Sequence, residues 1–227
     1  MSRALLILRP EPGATATAAR AGALGLETVK APLFAIAPVL WNAPPPERFD
    51  AVMMTSANAA RHGGAALARY RHLPAHMVGA ATADAARALG FRDIVVHRTD
   101  AAGLIAGLAR AGAKHVLHLA GREHRAVAAD GLSITRCVVY AADAIDVLPQ
   151  AALAALRNRA VALLYSPRAA RLFADLVDRA AIARGTVRIA TLSGAVREAV
   201  GEGWEIVAEA ARPTDDALLA VAARLCE

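Results

Sequence analysis

The chain has 227 residues, 56% of them hydrophobic and 20% charged, which is enough to bury a core in one large domain or two small ones and excludes disorder as its main character. The apolar excess is mostly alanine in amphipathic stretches, no run of about 18 apolar residues exists to span a bilayer, and the short segment 4–8 reads as a buried strand rather than an export signal; a cytoplasmic protein with no membrane partner is expected. The net charge of +6 rests almost wholly on arginine, leaving an anionic small-molecule partner, a solubility surface and codon usage in a GC-rich genome as explanations, whereas 4% aromatic residues and the lack of a basic block, zinc-finger spacing or aromatic stripe weigh against nucleic acid.

Short apolar runs alternate with longer amphipathic stretches, the pattern of parallel α/β structure. In chain order, strands are expected at 4–8, 51–54, 76–78, 94–96, 115–119, 161–164, 188–191 and 205–207, with helices in the intervals. Gly90 and Gly112 read as helix terminators, and Thr214 before Asp215 and Asp216 as an N-cap followed by an acidic first turn. Cys137 and Cys226 lie far apart outside any CxxC pattern and are expected as free thiols.

An internal repeat organises these elements. Val52-Met53-Met54-Thr55-Ser56-Ala57-Asn58-Ala59-Ala60-Arg61 parallels Ala162-Leu163-Leu164-Tyr165-Ser166-Pro167-Arg168-Ala169-Ala170-Arg171. Two further pairs keep the order: Val78 through Gly90-Phe91 matches Leu192 through Gly203-Trp204, and Thr99-Asp100 matches Thr214-Asp215. A last pair breaks it, because strand 4–8 with its helix and Gly25-Leu26 resembles strand 115–119 with its helix and Gly131-Leu132. That element begins one copy and ends the other. The economical reading is a discontinuous domain of 1–34 plus 143–227 and an inserted domain of 37–138. The linkers, about 33–39 and 136–142, are β-prone and expected to pair as a two-stranded hinge. A ligand is expected in the cleft of such a pair, where strand C-termini and helix N-termini converge.

Several residues are candidates on chemistry alone. Thr55 and Ser56 stand between a strand and a helix, where hydroxyls and the following N–H groups either hold a carboxylate or cap the helix; Ser166 has the equivalent place in the other copy. Thr82 falls in a Gly79-Ala80-Ala81-Thr82 turn whose small residues let a ligand approach the backbone, and Ser193 is its weaker counterpart. Arg9 follows the first strand and pairs either with a ligand carboxylate or with a structural acid. Arg122 and Arg125 are lesser candidates of the same kind. His115 and His118 project to opposite faces of a strand, and His124 has no partner at zinc spacing, so no metal is expected. No P-loop or dinucleotide fingerprint is present, and no cofactor is expected.

In their order along the chain, Leu8-Arg9-Pro10 with Gly13, Phe49-Asp50 before Thr55-Ser56, Val78-Gly79 with Thr82-Ala83 and Gly90-Phe91, Leu119-Ala120-Gly121-Arg122, Val139-Tyr140, Ser166, Leu192-Ser193 with Gly203-Trp204, and Pro213-Thr214 together resemble the uroporphyrinogen-III synthase family over essentially the whole length. The resemblance implies two flavodoxin-like parallel-sheet α/β domains joined by a two-stranded β linker. It implies an enzyme without cofactor that cyclises the linear tetrapyrrole hydroxymethylbilane, with loss of water and inversion of its last ring through a spiro intermediate. Implied with it are a catalytic Tyr140, matching the tyrosine of the family's linker motif, and substrate contacts from Arg9, Thr55, Ser56, Thr82, Ser166 and Ser193. A monomer receiving its anionic substrate by transient hand-over from hydroxymethylbilane synthase is expected. Two places depart from the pattern: Ala195-Val196 stands where many relatives have threonine-alanine, and Tyr165-Ser166 where they often have threonine-serine. The rival reading is a bilobal anionic-ligand binder without catalysis.

Overall fold

Buried runs such as Leu5–Ile7 and Val161–Leu164, apolar at every position, can be covered only by layers on both sides, and that requirement generates the architecture. The computed structural model describes residues 3–97, 101–123 and 131–227. In chain order it contains β1 (Leu5–Ile7), α1 (Gly13–Ala23), β2 (Thr28–Lys30), β3 (Phe34–Pro38), β4 (Ala51–Met54), α2 (Ala57–His62), β5 (Ala75–Val78), α3 (Ala80–Ala88), β6 (Ile94–His97) and α4 (Ala101–Arg110). There follow β7 (His115–Gly121), β8 (Ser133–Ala144), α5 (Gln150–Arg157), β9 (Val161–Leu164), α6 (Pro167–Arg179), β10 (Arg188–Thr191), α7 (Gly194–Val200), β11 (Ile206–Glu209) and α8 (Asp215–Cys226). Among the described residues no helix is long and apolar enough to cross a membrane.

By its internal contacts the chain divides into two compact units, Met1–Ala35 with Ala144–Glu227, and Ile36–Asp143. The first holds a parallel sheet ordered β11-β10-β9-β1-β2. One face of it buries Leu5, Ile7, Leu163 and Ala190 together with Ala14 and Ala21 of α1 and Leu218, Leu219 and Ala222 of α8. The second unit repeats the order as β6-β5-β4-β7-β8, with β3 added beside β8. Val52, Met54, Leu117 and Leu119 face α2 and α3 on one side of this sheet, while Ala51, Met53 and Val116 face Leu104, Ile105 and Leu108 of α4 on the other. Consecutive strand residues pointing to opposite helical layers explain why the strands show continuous apolar runs instead of alternation.

All eight expected strands exist, the last displaced to Ile206–Glu209, because Arg188 pairs with Ile206. The short edge strand β2 was not expected: its three residues are half-buried or exposed, so it lacks the apolar run that marks a strand. β8 begins well before the expected linker, at Ser133, since it first runs parallel to β7 from the His115–Ser133 pair to the Gly121–Tyr140 pair, with an irregularity at Ala120/Gly121. Its far part pairs with β3: the Val39 N–H donates to the Val139 carbonyl and the Ile145 N–H to the Leu33 carbonyl, so the two strands run in opposite directions. Gly90 and Gly112 stand just past α3 and α4 with φ of 91° and 76°. The N-caps of α2, α6 and α8 are Ser56, Ser166 and Thr214, each accepting a backbone N–H. Both cysteines are free, and burial pushes both thiols up. Thr99, Asp100, His124 and Arg125 lie outside the described residues.

We propose that the two units are independent domains, because the chain segments of each complete one sheet and cover both its faces. A fragment of 37–138 should unfold cooperatively in urea, and 143–227 should be markedly less stable alone than with 1–34 supplied, since without them β9 loses its neighbour β1. Equal stability of 143–227 with and without that segment, measured by circular dichroism, would contradict the assignment.

One polar pair is built into the second core. His76 Nδ1 and His97 Nε2 lie 3.0 Å apart with the rings stacked at 5.2 Å between centroids. One ring must donate and the other accept, so the bond requires at least one neutral imidazole. Burial holds both below the ordinary histidine value, with His97 adding to the effect on His76 against Asp93, and Arg110 adding to that on His97. A histidine depressed on folding contributes stability that is present above its unfolded value, near 6.5, and is lost as the pH falls. The melting temperature should therefore be lower at about pH 5.5 than at about pH 7.5, and His97→Gln, which keeps a donor for His76, should flatten the difference. Identical melting curves for wild type at the two pH values would refute this.

Candidate active site

Parallel strands end together, so each sheet gathers the residues that follow its strands along one edge, and there the candidate residues fall. In the second unit Thr55 and Ser56 follow β4. Both are half-buried; Ser56 Oγ accepts the Asn58 N–H at 3.2 Å and is committed to capping, while the Thr55 hydroxyl has no hydrogen-bond partner among the described residues. Thr82 is not in a turn. α3 begins directly after Gly79, which places Thr82 inside its first turn, 4% exposed, so that its hydroxyl faces protein more than solvent.

Tyr140 sits on β8 opposite Gly121, at the same end of the sheet. Its ring occupies the space a side chain at 121 would fill: a β-carbon there would lie 2.7 Å from Cζ and 2.9 Å from the hydroxyl oxygen. Glycine is therefore required at 121 for the phenol to lie where it does. The Tyr140 carbonyl accepts the Arg122 N–H at 2.9 Å, and its hydroxyl has no partner among the described residues. His62, the last residue of α2, lies tilted to the ring at 6.4 Å between centroids; burial, and then Arg61, holds it below the usual histidine value, so it is neutral at pH 7. Arg122 is exposed and paired with Asp143 at 2.6 Å. His115 is exposed and His118 buried. No cluster of three or more metal-ligating residues occurs among the described residues.

In the first unit Ser166 caps α6 through the Ala169 N–H, and Ser193 stands at the N-cap of α7 without a side-chain cap bond. Arg9, two residues beyond β1, is one-third exposed and belongs to a cluster that sequence reasoning missed. Its guanidinium lies over the Tyr165 ring at 4.2 Å, and its Nη1 reaches Thr17 Oγ1 at 3.4 Å and Asp215 Oδ1 at 3.5 Å. Asp215 is the hub. It accepts the Tyr165 hydroxyl at 2.6 Å, the Thr17 hydroxyl at 3.0 Å, and Arg20 on its second oxygen. Burial, and after it the bond to Asp215, pushes the Tyr165 phenol up to about 12, which keeps it a neutral donor. Of these, Asp215 was visible only as an acid in a helix's first turn and Tyr165 only as a departure from the family's threonine. Nothing local connects positions 17, 165 and 215, which meet because α1, β9 and α8 pack on one face.

The match to known proteins runs through both units. The family model described as Uroporphyrinogen-III synthase HemD matches residues 15–220. Among solved structures, the uroporphyrinogen-III synthetase of Helicobacter pylori 26695 is similar at a TM-score of 0.61 and 15% identity, covering 98% of this chain and 99% of that one. A mutant uroporphyrinogen III synthase of Thermus thermophilus is similar at 0.51 and 16% identity, covering 96% and 97%. No curated protein matches. At such identities the structures show a shared fold, while the family model, which takes in strands of both sheets and the linker tyrosine, shows the family: this chain belongs to the uroporphyrinogen-III synthases.

Proposed function

We infer that this chain converts hydroxymethylbilane to uroporphyrinogen III and water, closing the macrocycle with its last ring inverted. The observation that carries this is the single family match over residues 15–220, which spans the C-terminal edges of both sheets. Hydroxymethylbilane bears an acetate and a propionate on every pyrrole, and donors suited to carboxylates stand on those edges: the Thr55 and Ser193 hydroxyls, the capped turns after Ser56 and Ser166, and Arg9. Thr82, being buried, would act through the backbone of its turn more than through its hydroxyl.

The pyrrole nitrogens supply the electronic push that expels the terminal hydroxyl. What the protein adds is conformational control, since the unconstrained cation closes at the free terminal carbon and gives the uninverted isomer. Holding the chain ends near the spiro geometry removes entropy from that barrier, and dispersed contacts suffice for it. The enzyme acts in the cytoplasm as a monomer and takes its labile substrate by brief hand-over from hydroxymethylbilane synthase. Incubation with fresh hydroxymethylbilane, oxidation and chromatography of the porphyrins should give the type III isomer; type I at the uncatalysed rate would refute the reading and leave only ligand binding.

Tyr140 donates a hydrogen bond to the departing hydroxyl. Its unpartnered phenol beside Gly121 is the basis for this role. Tyr140→Phe keeps the ring and deletes only the donor. Because general-acid help is worth about a hundredfold and one ordinary hydrogen bond about 1 kcal/mol, kcat should fall roughly tenfold or more with little change in melting temperature. An unchanged kcat would exclude the role, and parallel loss of stability and activity would assign the ring to packing.

A further inference from the structure

Expulsion of the terminal hydroxyl leaves a cation whose charge is shared with the pyrrole N–H beside it. The hydroxyls, the capped turns and Arg9 suit carboxylates and Tyr140 suits the departing oxygen, which leaves that N–H without an acceptor. Water is a poor substitute, because a water molecule close enough to accept the N–H is also close enough to trap the cation. An uncharged acceptor fixed beside Tyr140 would meet the need. In a hydroxymethylpyrrole only two carbon atoms separate the nitrogen from the oxygen, so the protein groups that serve them have to be near neighbours.

His62 stands there. Its ring lies 6.4 Å from that of Tyr140 between centroids, with 35° between the planes. The side chain is half-buried, and neither ring nitrogen has a hydrogen-bond partner among the described residues. A neutral imidazole keeps one nitrogen as an acceptor. Burial, and then Arg61 on the same helix, holds the ring in that form. Around α2, strands β4 and β7 turn Val52, Met54, Leu117 and Leu119 inward, β8 brings the Tyr140 phenol and the Cys137 thiol, which burial pushes up, and α3 brings Asp84, paired with Arg87 at 2.7 Å. A histidine in the last turn of a helix stabilises it when protonated, so the surroundings suppress the structural use of this position. The end of α2 is also fixed in place. Trp41 Nε1 donates to the Gly63 carbonyl at 3.0 Å, and a β-carbon at 63 would meet Leu67 at 2.7 Å and the Ala59 carbonyl oxygen at 2.8 Å.

We propose that His62 accepts the N–H of the pyrrole that loses its hydroxyl, while Tyr140 beside it holds the departing oxygen. The proposal rests on the synthase reading above. The bond strengthens as positive charge grows on the nitrogen, so it lowers the barrier more than it tightens binding. Protonated His62 has no acceptor left and repels the cation. Its contribution is therefore present while the ring is neutral and is lost as the pH falls through its depressed value, below the ordinary 6.5.

The test is steady-state kinetics of the full chain on hydroxymethylbilane, scored by isomer, from about pH 5.5 to about pH 8. His62→Phe keeps a ring against Tyr140 and deletes the acceptor; kcat should fall about tenfold or more, with KM changed less than about twofold and the melting temperature kept. His62→Gln keeps an acceptor that does not titrate; it should hold kcat within about threefold of wild type and lose the acid-side fall in kcat that wild type shows. A ring that only packs predicts the reverse, with phenylalanine as active as wild type and glutamine losing activity and melting temperature together. That result overturns the proposal, as does an acid-side fall that persists unchanged in His62→Gln. If His62→Phe does not fold, the glutamine profile decides alone. Tyr140→Phe separates the two groups, since His62→Phe should still lower kcat in that background. A wild type that forms type III product while both His62 variants keep its kcat and its pH profile overturns the acceptor alone. A wild type that forms none overturns the synthase reading and the acceptor with it.

Discussion

Parallel strands cannot be joined by tight turns, because each connection has to return the full length of the strand before the next can begin. Among the described residues the returns between parallel strands are helices, and they cover both faces of two sheets whose central strands, such as β4 and β9, are buried throughout. The same constraint aligns the helix-connected strands of each sheet in one direction, so the residues that follow β1, β9 and β10 reach one edge of the first sheet and those that follow β4 and β5 reach one edge of the second. Hydroxyls and small turns collect at each edge, with a guanidinium at the first, and among the described residues no catalytic triad or carboxylate dyad accompanies them. For a reaction driven by the substrate's own pyrroles, such an edge is sufficient chemistry.

The repeat shows how the chain makes two of these sheets. Orders β11-β10-β9-β1-β2 and β6-β5-β4-β7-β8 correspond element by element, but β1-β2 opens the chain while its counterpart β7-β8 closes the second unit. The chain must therefore leave the first unit after β2 and return to it after β8, and β3 and the far part of β8 meet where it does so. Tyr140 lies on β8 near this passage and opposite Gly121, so the linker tyrosine is held by the sheet it leaves.

The first unit invests in a different device. A carboxylate that is 14% exposed, with two cations, a phenol and a hydroxyl around it, ties the middle of α1 and the residue after β9 to the start of α8. Arg9 turns Nη1 inward on Asp215 and Thr17, while Nε and Nη2 lie against Gly13 without a hydrogen-bond partner among the described residues. Tyr165 in place of the family's threonine is what supplies both the ring beneath Arg9 and the hydroxyl for Asp215.

The sequence by itself determined the strands, because four-residue runs such as Val161–Leu164 carry their signal locally, and it determined the permuted repeat, because the two copies keep the same serine after the same strand. It also carried the family, through the order of weak motifs along the whole chain. The edge strand β2 escaped it, since its half-buried and exposed residues, Thr28, Val29 and Lys30, make no apolar run to read. So did the placement of Thr82, because a glycine turn and a helix's first turn look alike until packing shows where α3 begins. Only the tertiary structure decided the Asp215 cluster, for Tyr165 lies 148 residues from Thr17 and 50 from Asp215. Contacts between side chains so far apart in the chain leave no periodicity and no spacing behind them; they exist only where packed layers bring the ends of separate elements to the same place.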